Sequence, residues 1–251
     1  MVYKQFLSAL SFLTIIPVGR TTKNVSLENI SKNMFLFPII GFIIGVLAVL
    51  VGIVVFSFFE HYISAFLVTI FLIILTGSHH TDALGDFADG IMAKGNREKK
   101  HQVMHDPRIG SAGAVAVSSY LIGMTLAISS IYSNMGLERL LIALIAAEII
   151  AKYSMILQAF MGKSAWEGYS SQFTIDMNSK RKMTVATIIT LALVSTVCWS
   201  NPLIGIQIFI VGIVGSLILL FIANKNFGGI SGDVMGATNE LVRVVSLISL
   251  S

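Results

Sequence analysis

The chain has 251 residues, of which 55% are hydrophobic and only 12% are charged. A soluble domain carries roughly twice that share of charged residues, so composition argues against a soluble globular fold, disorder, a coiled coil and nucleic-acid binding. It indicates an integral membrane protein built from helices. The net charge of +4 is interpreted as loop charge that sets the orientation in the membrane.

Apolar stretches of roughly 20 residues, the length that crosses a bilayer, follow one another along the chain. Residues 6–16 form a shorter stretch that is interfacial or re-entrant. The expected spans are Phe35–Phe59, Ile63–Thr76, Ala114–Ile131, Leu140–Phe160, Met183–Trp199 and Leu203–Ala223. A marginal seventh is Leu241–Leu250. The sequence therefore predicts an all-α fold, a polytopic transmembrane helix bundle of six or seven spans, in one integral membrane domain over residues 1–251.

Basic residues are distributed unevenly between the connections. The segment before the first span, with Arg20 and Lys23, is basic, as are the connections 78–113 and 161–182, whereas the intervening connections hold Arg139 as their one Lys or Arg. Because positive charge accumulates on the cytoplasmic side, we expect the N-terminus and both long polar loops to be cytoplasmic. The predicted location is the cell membrane.

Three aspartates at helical spacing follow the second expected span. Asp82, Asp86 and Asp89 lie at i, i+4 and i+7, which is one face of a helix. Crowded carboxylates either take up protons or bind cations, and oxygen ligands favour hard ions such as Mg²⁺. Further along, Asp106 could complete a metal site, and the Arg108 guanidinium matches phosphate oxygens. The segment is interpreted as a metal–pyrophosphate site, with a solvated helix face as the alternative.

Other ionisable residues are weaker candidates. Glu148 and Lys152 lie four residues apart within a span, so they either neutralise each other or leave Lys152 facing a central cavity where it meets phosphate. Asp233 lies in a glycine-rich segment, which is typical of a loop that approaches a ligand or of a flexible connector. The acidic segment also holds His80, His101 and His105, which leave a His/Asp zinc site open as a weaker alternative, since no clear ligand triad stands out.

Several motifs resemble those of the cobalamin synthase family, the adenosylcobinamide-GDP ribazoletransferases, and they occur in the family's order. They are FLTIIP at 12–17, FPIIGFIIG at 37–45, HTD at 80–82, DFADG at 86–90, DPRIGSAG at 106–113 and GGISGDVMGATNE at 228–240. The sequence departs from the family at Ser78, where glycine is usual. The resemblance implies a membrane enzyme that joins adenosylcobinamide-GDP to α-ribazole or its 5′-phosphate, releases GMP and requires Mg²⁺.

The resemblance also implies roles for particular residues. The expected catalytic and metal-binding residues are Asp82, Asp86, Asp89 and Asp106. The expected substrate-binding residues, with Lys152 added from its own position, are His80, Arg108, Lys152 and Asp233. The expected partners are the two substrates and membrane lipid, with no nucleic acid.

Two alternatives stay open at this point. DFADGIMA, at 86–93, also resembles the opening of the CDP-alcohol phosphotransferase motif of lipid synthesis, although Lys94 stands where that family has arginine. A small ion-coupled transporter would also place acids in a helix bundle, typically near the midplane of the membrane. The GxxxG spacing of Gly41 and Gly45 leaves a homo-oligomer open.

Overall fold

The computed structural model describes residues 2–18 and 27–251, so Arg20 and Lys23 lie outside the described residues. The α-helices are α1 (Val2–Leu13), α2 (Leu27–Lys32), α3 (Phe37–Phe58), α4 (His61–Leu75), α5 (His79–Met92), α6 (Arg97–Met104), α7 (Ser111–Met135), α8 (Leu137–Met161), α9 (Tyr169–Met177), α10 (Lys180–Val197), α11 (Pro202–Phe227) and α12 (Gly232–Ile248). Pairing of β type within the described ranges consists of one isolated bridge, between Ser164 and Ile230.

The predicted polytopic helix bundle is confirmed, with fewer candidate spans than the six or seven expected. Four helices in the described part, α3, α7, α8 and α11, are long and apolar enough to cross a membrane, and α4 with α5 would make a fifth. Helix α10 has only 18 residues and begins with Lys180, Arg181 and Lys182, so its apolar part is shorter than a bilayer requires. Helix α12 carries Glu240 and Arg243 in its middle, which makes it a polar core helix.

Helix α8 forms the centre of the bundle, packed against α3, α10, α11 and α12. The α3 contact depends on two glycines. A Cβ on Gly41 would lie 2.5 Å from the carbonyl oxygen of Glu148, and one on Gly45 would lie 2.6 Å from the Cα of Ile145. The GxxxG pair therefore serves close packing within the chain, and it gives no support to a homo-oligomer.

The chain turns sharply between α4 and α5, whose axes differ by 91°. Gly77 and Ser78 make the turn in the left-handed region, with φ of 68° and 60°. Left-handed backbone favours glycine, so Gly77 suits this turn, whereas Ser78 is the described non-glycine residue that adopts a positive φ. After the turn, α5 packs against α7 and α12.

The two segments expected as cytoplasmic loops are largely folded. Residues 78–113 form α5 and α6, and residues 161–182 contain α9. The ends of α8 and α11 are joined just beyond the helices, because the Ile230 amide donates to the Lys163 carbonyl (2.7 Å) and the Ala165 amide donates to the Ile230 carbonyl (2.8 Å). These contacts hold the glycine-rich segment against the end of α8, and the packing of α5 on α12 places the acidic segment at the same end of the bundle.

Candidate active site

A cavity of about 620 Å³ lies at this end, between α5, the segment before α7 and the start of α12. Four acids line it, which are Asp82, Asp86, Asp106 and Asp233. We call it the acidic cavity. It brings together three of the four acids predicted to be catalytic, adds Asp233 from the glycine-rich segment, and does not include Asp89.

Asp82 and Asp86 are the acids of the cavity that have no partner in the described ranges. Neither side chain makes a hydrogen bond or an ion pair there. Asp82 is exposed and Asp86 is half-buried, and Asp86 is within electrostatic range of Asp82, Asp233 and His105. Carboxylates that repel one another in a partly desolvated cavity favour the binding of a cation.

Asp89 has a different role in the structure from the one predicted. Its Oδ2 accepts the Gly110 amide at 2.7 Å and its Oδ1 accepts the Gly113 amide at 2.8 Å. Both amides belong to the start of α7, where free N–H groups and the helix dipole attract a carboxylate. A Cβ on either glycine would collide with the Asp89 carboxylate. The geometry thus assigns Asp89 to the α7 N-terminus, and its predicted place among the ligands of the cavity is not supported.

Asp106 and Arg108 form an ion pair at the edge of the cavity. The guanidinium donates to Asp106 through Nε at 3.0 Å and Nη2 at 2.8 Å, and the Arg108 amide donates to the same carboxylate. These hydrogen bonds hold the pKa of Asp106 at about 2. The Arg108 side chain is 87% exposed, so its outer edge remains accessible to an anion.

Asp233 lies in the first turn of α12 and borders two cavities. The Ser231 hydroxyl donates to its Oδ2 at 3.4 Å. Burial raises the pKa of Asp233 above its ordinary value, while the neighbouring charge of His105 acts in the opposite direction. A half-buried carboxylate with a raised pKa is a stronger base than an ordinary aspartate, which suits it to accept a proton.

The second cavity, of about 550 Å³, lies on the other side of the α5–α12 crossing. The two helices pack closely there, since a Cβ on Gly236 would lie 2.6 Å from the Cβ of Ala83. Its walls include three phenylalanines from separate helices, which are Phe12, Phe37 and Phe173. We call it the aromatic cavity. Asp233 borders both cavities.

The carboxylates of the acidic cavity are hard oxygen ligands of the kind that the implied Mg²⁺ prefers. Residues 2–18 and 27–251 contain no group of three or more His, Cys, Asp or Glu side chains placed to hold a metal ion. Mg²⁺, however, is usually held by one or two carboxylates together with substrate phosphates and water, and not by an all-protein cage. Asp82 and Asp86, two oxygen ligands without partners, fit that requirement.

One protein family matches nearly the whole chain. The family model described as cobalamin-5-phosphate synthase matches residues 5–251. The chain belongs to the cobalamin-5-phosphate synthase family.

Relatives carrying the name adenosylcobinamide-GDP ribazoletransferase are similar over nearly the whole chain. The protein of Methanococcoides burtonii is 32% identical over 96% of this chain and 89% of its own length. The protein of Clostridium botulinum is 29% identical over 99% of this chain and 98% of its own length. The protein of Archaeoglobus fulgidus is 29% identical over 99% and 97%. No solved structure matches the chain.

In this member of the cobalamin-5-phosphate synthase family, Lys152 does not face a cavity. Its side chain is fully buried, donates to the Asn239 Oδ1 at 2.7 Å, and lies 3.8 Å from Glu148. The contact supports the interpretation of a self-neutralising pair. These contacts give no support to the alternative in which Lys152 reaches phosphate, because α8 is the central helix and its Lys152 side chain is directed inward.

The pair belongs to a buried network that the sequence only partly indicated. Arg243 contacts Glu148 at 2.6 Å and Glu240 at 2.7 Å, and it donates to the Tyr120 hydroxyl at 2.8 Å. The helical spacing of Glu240 and Arg243 was a visible signal, since charges that far inside an apolar run need partners. Nothing in the sequence marked Tyr120, which lies on a different helix.

His80 lies between the network and the aromatic cavity. The Asn239 amide nitrogen donates to its Nδ1 at 3.2 Å, and the ring forms part of the cavity wall. Sequence reasoning selected His80 as a substrate-binding residue but did not identify Asn239, although Asn239 lies within the quoted glycine-rich motif.

Proposed function

We propose that the chain transfers the adenosylcobinamide phosphate group from adenosylcobinamide-GDP to α-ribazole or its 5′-phosphate, with release of GMP. The supporting observation is the acidic cavity, in which Asp82 and Asp86 have no partners among the described residues and Asp233 borders the neighbouring aromatic cavity. The names of the relatives, similar over nearly the full chain, give the substrates.

The reaction requires one bond to form as another breaks. The ribose 3′-hydroxyl of α-ribazole attacks the phosphorus on the cobinamide side of the pyrophosphate. A new P–O bond forms, the bridging P–O bond breaks, and GMP leaves. The hydroxyl proton passes to a carboxylate, for which Asp233 is the best placed residue because it borders both cavities and is not held by a cation.

We propose that Mg²⁺ is held by Asp82 and Asp86 together with the pyrophosphate. The ion would neutralise charge on the phosphates, which is the main requirement of phosphoryl transfer. Arg108 lies at the edge of the same cavity with its outer face exposed. It would orient a phosphate oxygen while Asp106 keeps its guanidinium in place.

We further propose that the acidic cavity faces the cytoplasm from the cell membrane. The basic residues of α6 and of the segment just before it lie at the same end of the chain's fold as the cavity; they are Lys94, Arg97, Lys99 and Lys100. The uneven distribution of cations supports this orientation by the positive-inside rule.

The test replaces one carboxylate at a time in the full chain in lipid nanodiscs, with both substrates and Mg²⁺ present. Asp86→Asn and Asp82→Asn should each lower kcat by about 100-fold or more, because each removes a negative ligand from the pyrophosphate site. Glu138→Gln, an exposed acid in the first turn of α8 at the opposite end, is the matched control and should keep wild-type turnover. Near-normal GMP release by both Asp variants would refute the role of the cavity.

A further inference from the structure

The aromatic cavity has features of a binding site that the phosphate chemistry does not use. Phe12 lies with its ring centroid 6.5 Å from that of Phe37 and 6.0 Å from that of Phe173. The three rings come from α1, α3 and α9, so they form an apolar wall that residues distant in sequence build together. A volume of about 550 Å³ falls within the range for pockets that take a small organic ligand.

The imidazole ring of His80 lies on this wall, and its neighbours determine which ring nitrogen carries the proton. Lys152 can only donate, so its 2.7 Å contact identifies the Asn239 side-chain oxygen. The Asn239 nitrogen must then be the donor to the Nδ1 of His80 at 3.2 Å and to Glu240 at 3.0 Å. Since Nδ1 accepts, the ring proton is on Nε2.

The Nε2–H of His80 is therefore a hydrogen-bond donor without a partner in the described ranges. His80 is 8% exposed and lines the aromatic cavity, and its Nδ1 edge is occupied by Asn239. The remaining edge of the ring is the one available to a ligand.

Other polar residues also line the cavity, namely Ser11, His79, Ser170 and Asp233. The Ser11 hydroxyl donates to the Ser8 carbonyl, and the Ser170 hydroxyl contacts that of Ser164. His80 is a donor whose orientation its neighbours fix, and beside three phenylalanine rings it suits a flat aromatic molecule that has one ring-nitrogen acceptor.

We infer that the aromatic cavity binds the base of the ribazole substrate, with the Nε2–H of His80 donating to its free ring nitrogen. The inference rests on the proposed function. The base of α-ribazole is a dimethylated benzimidazole, which is flat, apolar and has one ring nitrogen not bonded to the sugar. Its ribose would then extend past Asp233 toward the acidic cavity, which is where the attacking hydroxyl is needed.

The same features favour the ribazole base over the guanine of the other substrate. Guanine presents several donors and acceptors on its edges, and burial against phenylalanine would leave most of them without partners, at a cost for each. The corrin ring is too large for a cavity of this size. The aromatic cavity therefore distinguishes the acceptor substrate from the donor substrate.

The experiment compares α-ribazole with the analogue in which C–H replaces the free ring nitrogen, a dimethylindole α-riboside. The full chain in nanodiscs should prefer α-ribazole in kcat/KM by about tenfold, the value of one hydrogen bond. His80→Phe should reduce that preference to less than about twofold, and His80→Gln, which keeps an N–H donor, should retain most of it. His61→Phe, the same change at the opposite end of the bundle, is the control and should leave the preference unchanged.

A second variant tests the apolar wall. Phe173→Ala should raise the KM for α-ribazole by about tenfold, since it removes a ring from the wall, while the KM for adenosylcobinamide-GDP should stay within about twofold. Phe221→Ala, an exposed residue of α11, is its matched control. A rise confined to the KM for adenosylcobinamide-GDP would overturn the inference and assign the cavity to the other substrate.

Calorimetry measures the affinities of α-ribazole and of the dimethylindole α-riboside for the same variants, so it tests the preference without requiring turnover. Equal affinity of the wild-type chain for both ribosides, or a preference that survives in His80→Phe, would overturn the inference. Absence of GMP release by the wild-type chain, with the binding preference intact, would instead count against the proposed reaction alone.

Discussion

Asp86 and Asp89 lie three residues apart on α5 and have different surroundings. Asp86 lines the acidic cavity with three other carboxylates, whereas Asp89 accepts two backbone amides. A carboxylate with both oxygens hydrogen-bonded to a helix N-terminus stabilises structure, and one without a partner is available to a cation. Helical spacing alone predicts the same role for both aspartates, and only their contacts in the structure show that the roles differ.

Asp233 gives a prediction for the pH dependence of the reaction. As the proposed base it must be ionised, and burial raises its pKa, an effect that Asp82 reinforces and His105 opposes. Activity should therefore fall as the pH decreases, with a midpoint above about 4, the ordinary value for aspartate. The measurement is kcat between about pH 4 and pH 8, where catalytic carboxylates with raised pKa values titrate.

Asp233→Asn should lower kcat and abolish this acid limb, because the titrating group is gone. Glu138→Gln should keep both the rate and the limb. An acid limb that persists unchanged in Asp233→Asn would show that another group accepts the proton.

At the scale of the element, α5 owes its position to its contacts with α7 and α12. Hydropathy alone would have left a segment with three aspartates outside the bundle. The sharp turn at Gly77 and Ser78 and the Asp89 contacts with the start of α7 bring it inside. One face of α5 then lines the acidic cavity, while Asp89 in its last turns accepts hydrogen bonds from the start of α7.

Asp89→Ala should lower the free energy of unfolding by about 2 kcal/mol, because two amides at the start of α7 lose a charged acceptor. Asp89→Asn keeps one acceptor oxygen and should lose about half as much. Reversible unfolding in mixed micelles measures both, with Asp86→Asn as the control that should change stability by less than about 0.5 kcal/mol. Full stability of Asp89→Asn combined with lost turnover would restore Asp89 to the catalytic residues.

At the scale of the whole molecule, a buried network of charges connects α7, α8 and α12. Arg243 is buried and contacts both Glu148 and Glu240. The Asn239 contact with His80 extends the network to α5 and hence to the wall of the aromatic cavity. The polar interior therefore fixes the relative positions of the helices that form the site.

Arg243→Met should lower the free energy of unfolding by about 3 kcal/mol or more, since it leaves two carboxylates buried without their cation. Arg139→Met, an exposed cation in the first turn of α8, is the control and should be near neutral. The measurement is unfolding in mixed micelles, together with the fraction of protein that stays monodisperse after extraction. Wild-type stability of Arg243→Met would mean that the network contributes little to the fold.

Much of the site was predictable because its signals are local. The helical spacing of Asp82 and Asp86, their position after an apolar run, and the glycines around Asp233 all lie within short segments. The Phe12, Phe37 and Phe173 wall was not predictable, because phenylalanines in a membrane protein are common and these three come from separate helices. Tyr120 was not predictable either, because it lies on α7, far in sequence from the Arg243 that it contacts.

The sequence by itself determined the class of the protein, since a chain with so few charges can satisfy its backbone and its apolar side chains only as a helical membrane bundle. It also determined the acids and the family. Only the tertiary structure decided which carboxylates share a cavity, that Asp89 fastens α7, and that Lys152 is turned inward. Hydrogen bonds and ion pairs between distant segments make those distinctions, and they exist only when the helices are packed.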